Sequence, residues 1–136
     1  MSDAVRFDLP TIEPESAEYW AGMQRGELLL RRCEDCGEVH HYPRPFCPSC
    51  WSERVAWQPA SGAATLYTHS TVYVNDLPPF GEQVPYVAAV VDLAEGPRMM
   101  TQVVDCDPAD LEIGMALQVV FREVTDEITI AVFRPA

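Results

Sequence analysis

Cys33-Glu34-Asp35-Cys36-Gly37, with ten residues between Cys36 and the second stretch Cys47-Pro48-Ser49-Cys50-Trp51, decides the fold of the first half of this chain. Each C-x-x-C turn aims two thiolates at one ion, and two such turns close a tetrahedral four-sulfur shell that leaves no position for water. A closed shell is structural, so Cys33, Cys36, Cys47 and Cys50 are the expected ligands of one zinc per chain. Gly37 after the first pair, and Pro45, Pro48 and Trp51 around the second, supply the tight turns of zinc knuckles. Two disulfides are the competing use of four cysteines, but they suit an oxidising compartment, and no apolar signal segment follows Met1. His40 and His41 lie between the pairs and are read as surface residues or neighbours of the metal, because four thiolates already complete the shell.

Working outward, a ribbon of roughly 30 residues buries too little apolar surface to fold by itself, so zinc binding must supply much of its stability. Residues 27–58 are assigned to this ribbon, with Leu28-Leu29-Leu30-Arg31-Arg32 as the strand that leads into the first knuckle. Before it, residues 1–26 form an extended arm and a short helix over Pro14–Arg25. Pro14 suits the first helical position, Glu15 and Glu18 the positive end, and Gly26 the stop. Tyr19, Trp20 and Met23 share one face of that helix, which either covers this protein's own core or packs on a partner subunit.

After Trp57 and Pro59 the pattern changes to short β runs bounded by turns, at 63–74, 86–93, 98–104, 116–122 and 128–133. Five strands with a long first one, and a helical insertion near Pro108 after the third, are the sequence form of an OB-fold barrel over residues 59–136. The expected class is mainly β: a short N-terminal helix, a rubredoxin-like zinc ribbon and a C-terminal five-stranded OB-fold barrel. One connection, Asn75–Pro85, is long and apolar, and its Leu77 and Phe80 make it the loop best suited to touching a partner or folding over the barrel mouth.

Charge removes one class of function. The chain carries nine Arg, no Lys and 21 acids, a net charge of -12. Residues 1–24 hold one Arg against five acids, residues 25–54 balance five against five, and residues 55–136 hold three against eleven. Phosphate backbones repel such a surface, and the two runs 86–91 and 98–104 offer one aromatic and one Arg where a single-strand-binding OB face needs several of each. No nucleic-acid partner is expected. No apolar run approaches the roughly 20 residues of a membrane span, so the chain is expected to be soluble and cytoplasmic.

A catalytic set is missing from the sequence. It contains no G-x-G-x-x-G, no phosphate-cradling G-x-x-x-x-G-K and no G-x-S-x-G. Cys106 stands between Asp105 and Asp107, whose carboxylates oppose a thiolate. His69 sits inside a strand. No catalytic residue is assigned.

The ordered series Tyr19-Trp20, Gly26-Glu27-Leu28, Cys33-x-x-Cys36-Gly37, Pro43-Arg44-Pro45-x-Cys47-Pro48-x-Cys50, Pro85-Tyr86 and Gly114-Met115 resembles the zinc-ribbon and OB-fold proteins associated with acyl-CoA, long described as a domain of unknown function. The resemblance covers nearly the whole chain from about residue 13 and departs at none of the four ligands. It implies a companion subunit of a thiolase-superfamily enzyme: an acetoacetyl-CoA thiolase paired with hydroxymethylglutaryl-CoA synthase, an aryl-succinyl-CoA thiolase, or a lipid-transfer-protein-like aldolase of steroid side chains. In such complexes the partner holds the catalytic residues and most of the CoA thioester. The contact residues expected here are Tyr19, Trp20, Leu77 and Phe80, and the alternative is a free-standing acyl-CoA binding or carrier module.

Overall fold

A computed structural model describes residues 8–136, and expectations for residues 1–7 of the arm lie outside the described residues. The single α-helix among the described residues, α1 (Ala17–Gln24), begins later than Pro14. Pro14 and Glu15 fall in a preceding turn, closed by the Ser16 N–H donating to the Glu13 carbonyl at 2.9 Å. The Glu13 N–H donates to Ser16 Oγ at 3.1 Å, so this hydroxyl serves the turn and caps no helical N–H. At the other end Gly26 stops the helix as the sequence implies: its φ of 82° is a left-handed conformation that a Cβ disfavours.

The ribbon is a three-stranded antiparallel sheet in the order β2-β1-β3, from β1 (Leu29–Cys33), β2 (Val39–His40) and β3 (Val55–Pro59). Strand β1 delivers Cys33 to the metal centre, while Leu29 and Leu30, 3% and 1% exposed, lie in the chain's interior.

The second half closes into a barrel in the order β4-β5-β6-β8-β7, with β4 (Ala63–Val72), β5 (Tyr86–Leu93), β6 (Arg98–Val103), β7 (Ala116–Glu123) and β8 (Thr129–Pro135). Strand β4 is long because it serves two neighbours, β7 through residues 63–65 and β5 through residues 64–72. A register shift between Leu66 and Thr68 lets it bend from one to the other. Alternation is clearest in β5, where Val87, Ala89, Val91 and Leu93 point inward. A 3-10 turn, Pro108–Asp110, follows the third barrel strand as expected, with the Asp107 carboxylate accepting from the Ala109 N–H. Closure comes from a parallel pairing of β6 with β8 at Val103 and Phe133.

Phe133, Leu66, Leu117 and Val91 fill the barrel centre, and α1 joins the same core. Tyr19, Trp20 and Met23 are 3%, 8% and 2% exposed. Tyr19 and Trp20 therefore anchor the helix to this chain: a short helix is marginal alone, and its aromatic face packs on β1, β7 and β8.

Candidate metal centre and partner surface

The two knuckles are built alike. In the first, the Gly37 N–H donates to the Cys33 carbonyl at 2.9 Å and the Cys33 N–H to that of Glu38 at 2.8 Å. In the second, Trp51 donates to Cys47 at 2.9 Å and Cys47 to Ser52 at 2.8 Å. Trp51 thus takes the place of Gly37 and adopts the same left-handed backbone, φ 67° against 81°. Its indole lies flat on Phe46, with ring centroids 5.1 Å apart, an arrangement that offsets part of that strain.

These turns bring all four sulfurs within 4.8 Å of one another. Cys33 and Cys50 Sγ stand 3.5 Å apart, and Cys36 and Cys47 Sγ 3.6 Å. A tetrahedral zinc with bonds of about 2.3 Å needs sulfur–sulfur edges of about 3.8 Å, so the geometry fits the ion. Backbone N–H groups of Cys36 and Ser49 point at the sulfurs of Cys33 and Cys47 at 3.4 Å each. The Cys36 N–H, with help from Asp35, Cys50 and the Cys36 side chain, holds the Cys33 thiol down to about 6. For Cys36 the Glu38 N–H acts in the same sense, but desolvation and shared hydrogen bonds with Cys47, Cys33 and Cys50 prevail and push it up to about 12. One thiolate in the cluster thus opposes the next until a divalent cation balances them. The site is a single structural zinc centre with four thiolate ligands. Outer hydrogen bonds brace it: Ser49 Oγ donates to Glu38 and Ser52 Oγ to Asp35, while Arg54 reaches Asp35 at 2.7 Å.

Neither histidine between the pairs joins the metal. His40 is buried rather than superficial, opposite Arg31 in the sheet, and its Nε2 accepts from the Arg44 N–H at 3.3 Å. His41 is hydrogen-bonded through Nε2 to the Tyr19 hydroxyl at 2.8 Å, and Trp20 Nε1 donates to the Tyr42 hydroxyl at 3.0 Å. This ring cluster ties the ribbon to α1. Burial, with His40 beside it, lowers the His41 pKa to about 4. The unfolded chain, with His near 6.5, then binds the extra proton more readily, so stability from this group is complete above pH 6.5 and is lost as pH falls toward 4. The urea midpoint is expected to drop between pH 7.5 and 5 by the equivalent of about 1–2 kcal/mol, and His41→Gln should flatten that slope; an unchanged slope would refute this role.

The loop expected to meet a partner is ordered by its own polar groups. Leu77 N–H donates to Asn75 Oδ1 at 2.9 Å, and Asn75 Nδ2 donates to the Tyr86 hydroxyl at 3.0 Å. Phe80 opens a 3-10 turn, Phe80–Glu82, and leans half-buried on Tyr86, whereas Leu77 is 55% exposed. Leu77 and Phe80 are thus presented at the surface and Tyr19 and Trp20 are not. Beneath Phe80 lies a cavity of about 480 Å³ walled by Leu9, Pro79, Ile128 and Ile130, with Arg122 hydrogen-bonded to Gln102 at 3.1 Å. Burial, with Asp110 and Asp107, raises the Cys106 pKa, the wrong direction for a nucleophile.

Sequence reading missed the Phe46–Trp51 stack and the Tyr19–His41 pair. The first had a signal, since Trp51 follows its cysteine as Gly37 follows Cys36; the second had none, because it joins residues 22 apart through tertiary packing.

Known proteins agree with this architecture. Residues 20–56 match the family model described as ChsH2, rubredoxin-like zinc ribbon domain, and residues 57–122 the model described as ChsH2, C-terminal OB-fold domain. The chain belongs to the ChsH2 zinc-ribbon and OB-fold family. A protein of Thermomonospora curvata named "Probable enoyl-CoA hydratase alpha subunit" is 34% identical over 93% of this chain, which spans 39% of that protein's length. The "Benzoylsuccinyl-CoA thiolase subunit BbsA" of Geobacter metallireducens is 33% identical over 63% of this chain and 58% of its own. Among solved structures, a chain of the "Ltp2-ChsH2(DUF35) aldolase" is 33% identical, with a TM-score of 0.84 over 93% of this chain and 98% of that one. No helix among the described residues is long and apolar enough to cross a membrane.

Proposed function

We propose that this chain is the zinc-containing, non-catalytic accessory subunit of a thiolase-fold enzyme that breaks or forms a carbon–carbon bond beside a CoA thioester, with steroid side-chain degradation as the setting the resemblance implies. The observation that carries this reading is the end-to-end likeness, TM-score 0.84 over 98% of the other chain, to a subunit of an aldolase named for two proteins. The exposed Leu77 and the half-buried Phe80 on a braced loop support it, as does a zinc centre whose four thiolates leave no open position for substrate. In this reading the partner supplies the reacting groups and holds the thioester, and this chain supplies a shaped surface in the cytoplasm.

The test is co-expression with a thiolase-fold protein encoded beside it. The two are expected to co-purify. Phe80→Ala and Leu77→Asp are each expected to weaken the complex by roughly 2 kcal/mol, about thirtyfold in Kd. The cavity of about 480 Å³ beneath Phe80 favours one other reading, an acyl-CoA carrier. If the chain stays monomeric with every thiolase-fold partner yet binds an acyl-CoA in calorimetry, the carrier reading replaces this one.

A further inference from the structure

Along β7 the residues that join or pack on the core are Leu117, Val119 and Phe121, so Arg122 stands on the outer face of the barrel. Its ladder partner on β8, Ile130, shares that face. Across the seam to β6, Arg122 Nη2 donates to Gln102 Oε1 at 3.1 Å. These three side chains are the barrel side of the cavity of about 480 Å³ beneath Phe80. Leu9 of the arm, Phe80 of the loop, and Val124 and Ile128 at the β7–β8 turn give it apolar walls. Its volume falls in the range of small-molecule pockets, roughly 300–1,000 Å³.

The charge at this place is unusual for the chain. Arg98 is exposed and neutralised by Asp92 at 2.6 Å, and Arg54 by Asp35 at 2.7 Å. Arg122 is half-buried, and among the described residues it forms no ion pair. Its bond goes to a neutral amide, which leaves most of its N–H donors unused. Gln102, whose oxygen is taken by Arg122, has only its amide N–H groups to offer a ligand. A cation and an amide donor side by side on an apolar cavity form a receptor for an anion with an apolar body. The planar guanidinium matches the two oxygens of a carboxylate. Asp8 and Glu123 also line the cavity, and their like charge opposes a ligand that brings more than one negative charge.

We propose that this cavity binds a monocarboxylic acid with an apolar body, its carboxylate held by Arg122 and Gln102 and its body against Phe80, Ile128 and Ile130. The site does not depend on the accessory-subunit reading, since every residue in it belongs to this chain. It also differs from the carrier reading in the head group it selects. The carbonyl of an acyl-CoA brings no charge to Arg122, and the CoA phosphates meet Asp8 and Glu123.

The probe is decanoate, titrated by calorimetry into the full zinc-loaded chain, with decanol and decanoyl-CoA as comparisons. Decanoate is expected to bind once per chain with a Kd on the order of 0.1 mM, the scale for a ligand of its size. Decanol keeps the body without the charge and is expected to bind at least about tenfold more weakly. Arg122→Gln is expected to weaken decanoate by at least about tenfold and to leave decanol within about twofold of wild type. Arg134→Gln, which removes the exposed arginine of β8, is expected to change neither. In methyl NMR the Ile128 and Ile130 signals are expected to shift with decanoate, and those of Ile12 and Ile113, which do not line the cavity, to stay in place. The comparison of decanoate with decanol on the wild type needs no variant and holds even if Arg122→Gln fails to fold. Equal binding of the two would refute the carboxylate site, as would a folded Arg122→Gln chain with wild-type affinity for decanoate. Decanoyl-CoA bound as tightly as decanoate would assign the cavity to the carrier reading and overturn this one, and no saturable binding of decanoate would overturn the site altogether.

Discussion

Cys47→Ala is expected to strip the chain of zinc and leave the ribbon unfolded. Structural zinc contributes about 10–16 kcal/mol of folding free energy in small ribbons, whereas an entire domain is stable by only about 5–15 kcal/mol. Removing one of four thiolates lowers metal affinity and leaves a hole where a fully buried sulfur was. Cys50→Ala separates the two effects: Cys50 is exposed, so its loss opens no cavity but removes the same kind of ligand. Both variants should fall from one zinc per chain toward none by elemental analysis, and both should lose the cooperative melt of the ribbon. The consequence reaches further than the knuckles. His41 and Tyr42, which close over Tyr19 and Trp20, are held in the segment between the two cysteine pairs. A metal-free ribbon should therefore also loosen α1. A metal-free preparation of either variant with wild-type folding would refute the site.

The zinc centre was legible because its information is local. Two C-x-x-C pairs encode four ligands by spacing alone, and the turn residues around them encode the knuckles. The barrel was legible for a similar reason, because period-two alternation as in Val87, Ala89 and Val91 and the breaks at Gly96 and Pro97 are short-range signals. The direction in which α1 faces was not. Tyr19, Trp20 and Met23 form an apolar stripe whichever surface they meet, and only the placing of β7 and β8, about a hundred residues later in the chain, decides that the surface is internal. The meeting of Arg122 with Gln102 was hidden for a related reason. They are polar positions in two separate strands, and which of each pair of neighbours points outward depends on a register that the sequence does not state.

Trp20→Ala is expected to destabilise the isolated chain by about 3–5 kcal/mol, because a buried indole is removed and the site has little freedom to collapse. For a chain of this size that corresponds to a fall in thermal midpoint on the order of 10–20 °C. The indole is 8% exposed, meets Tyr19 edge-on with centroids 5.1 Å apart, and donates Nε1–H to the Tyr42 hydroxyl. Trp20→Phe keeps most of the apolar area and loses that hydrogen bond, so its cost should be nearer 1 kcal/mol. The pair of variants decides between the two uses of the α1 face. A residue that belongs to this chain's core lowers the midpoint of the isolated protein, whether or not a partner is present. A residue that serves a partner leaves the isolated midpoint unchanged and loses only the complex. A Trp20→Ala chain that melts within 2 °C of wild type by itself, and yet no longer binds a thiolase-fold protein, would return Trp20 to the interface and show that α1 swings off the barrel in solution.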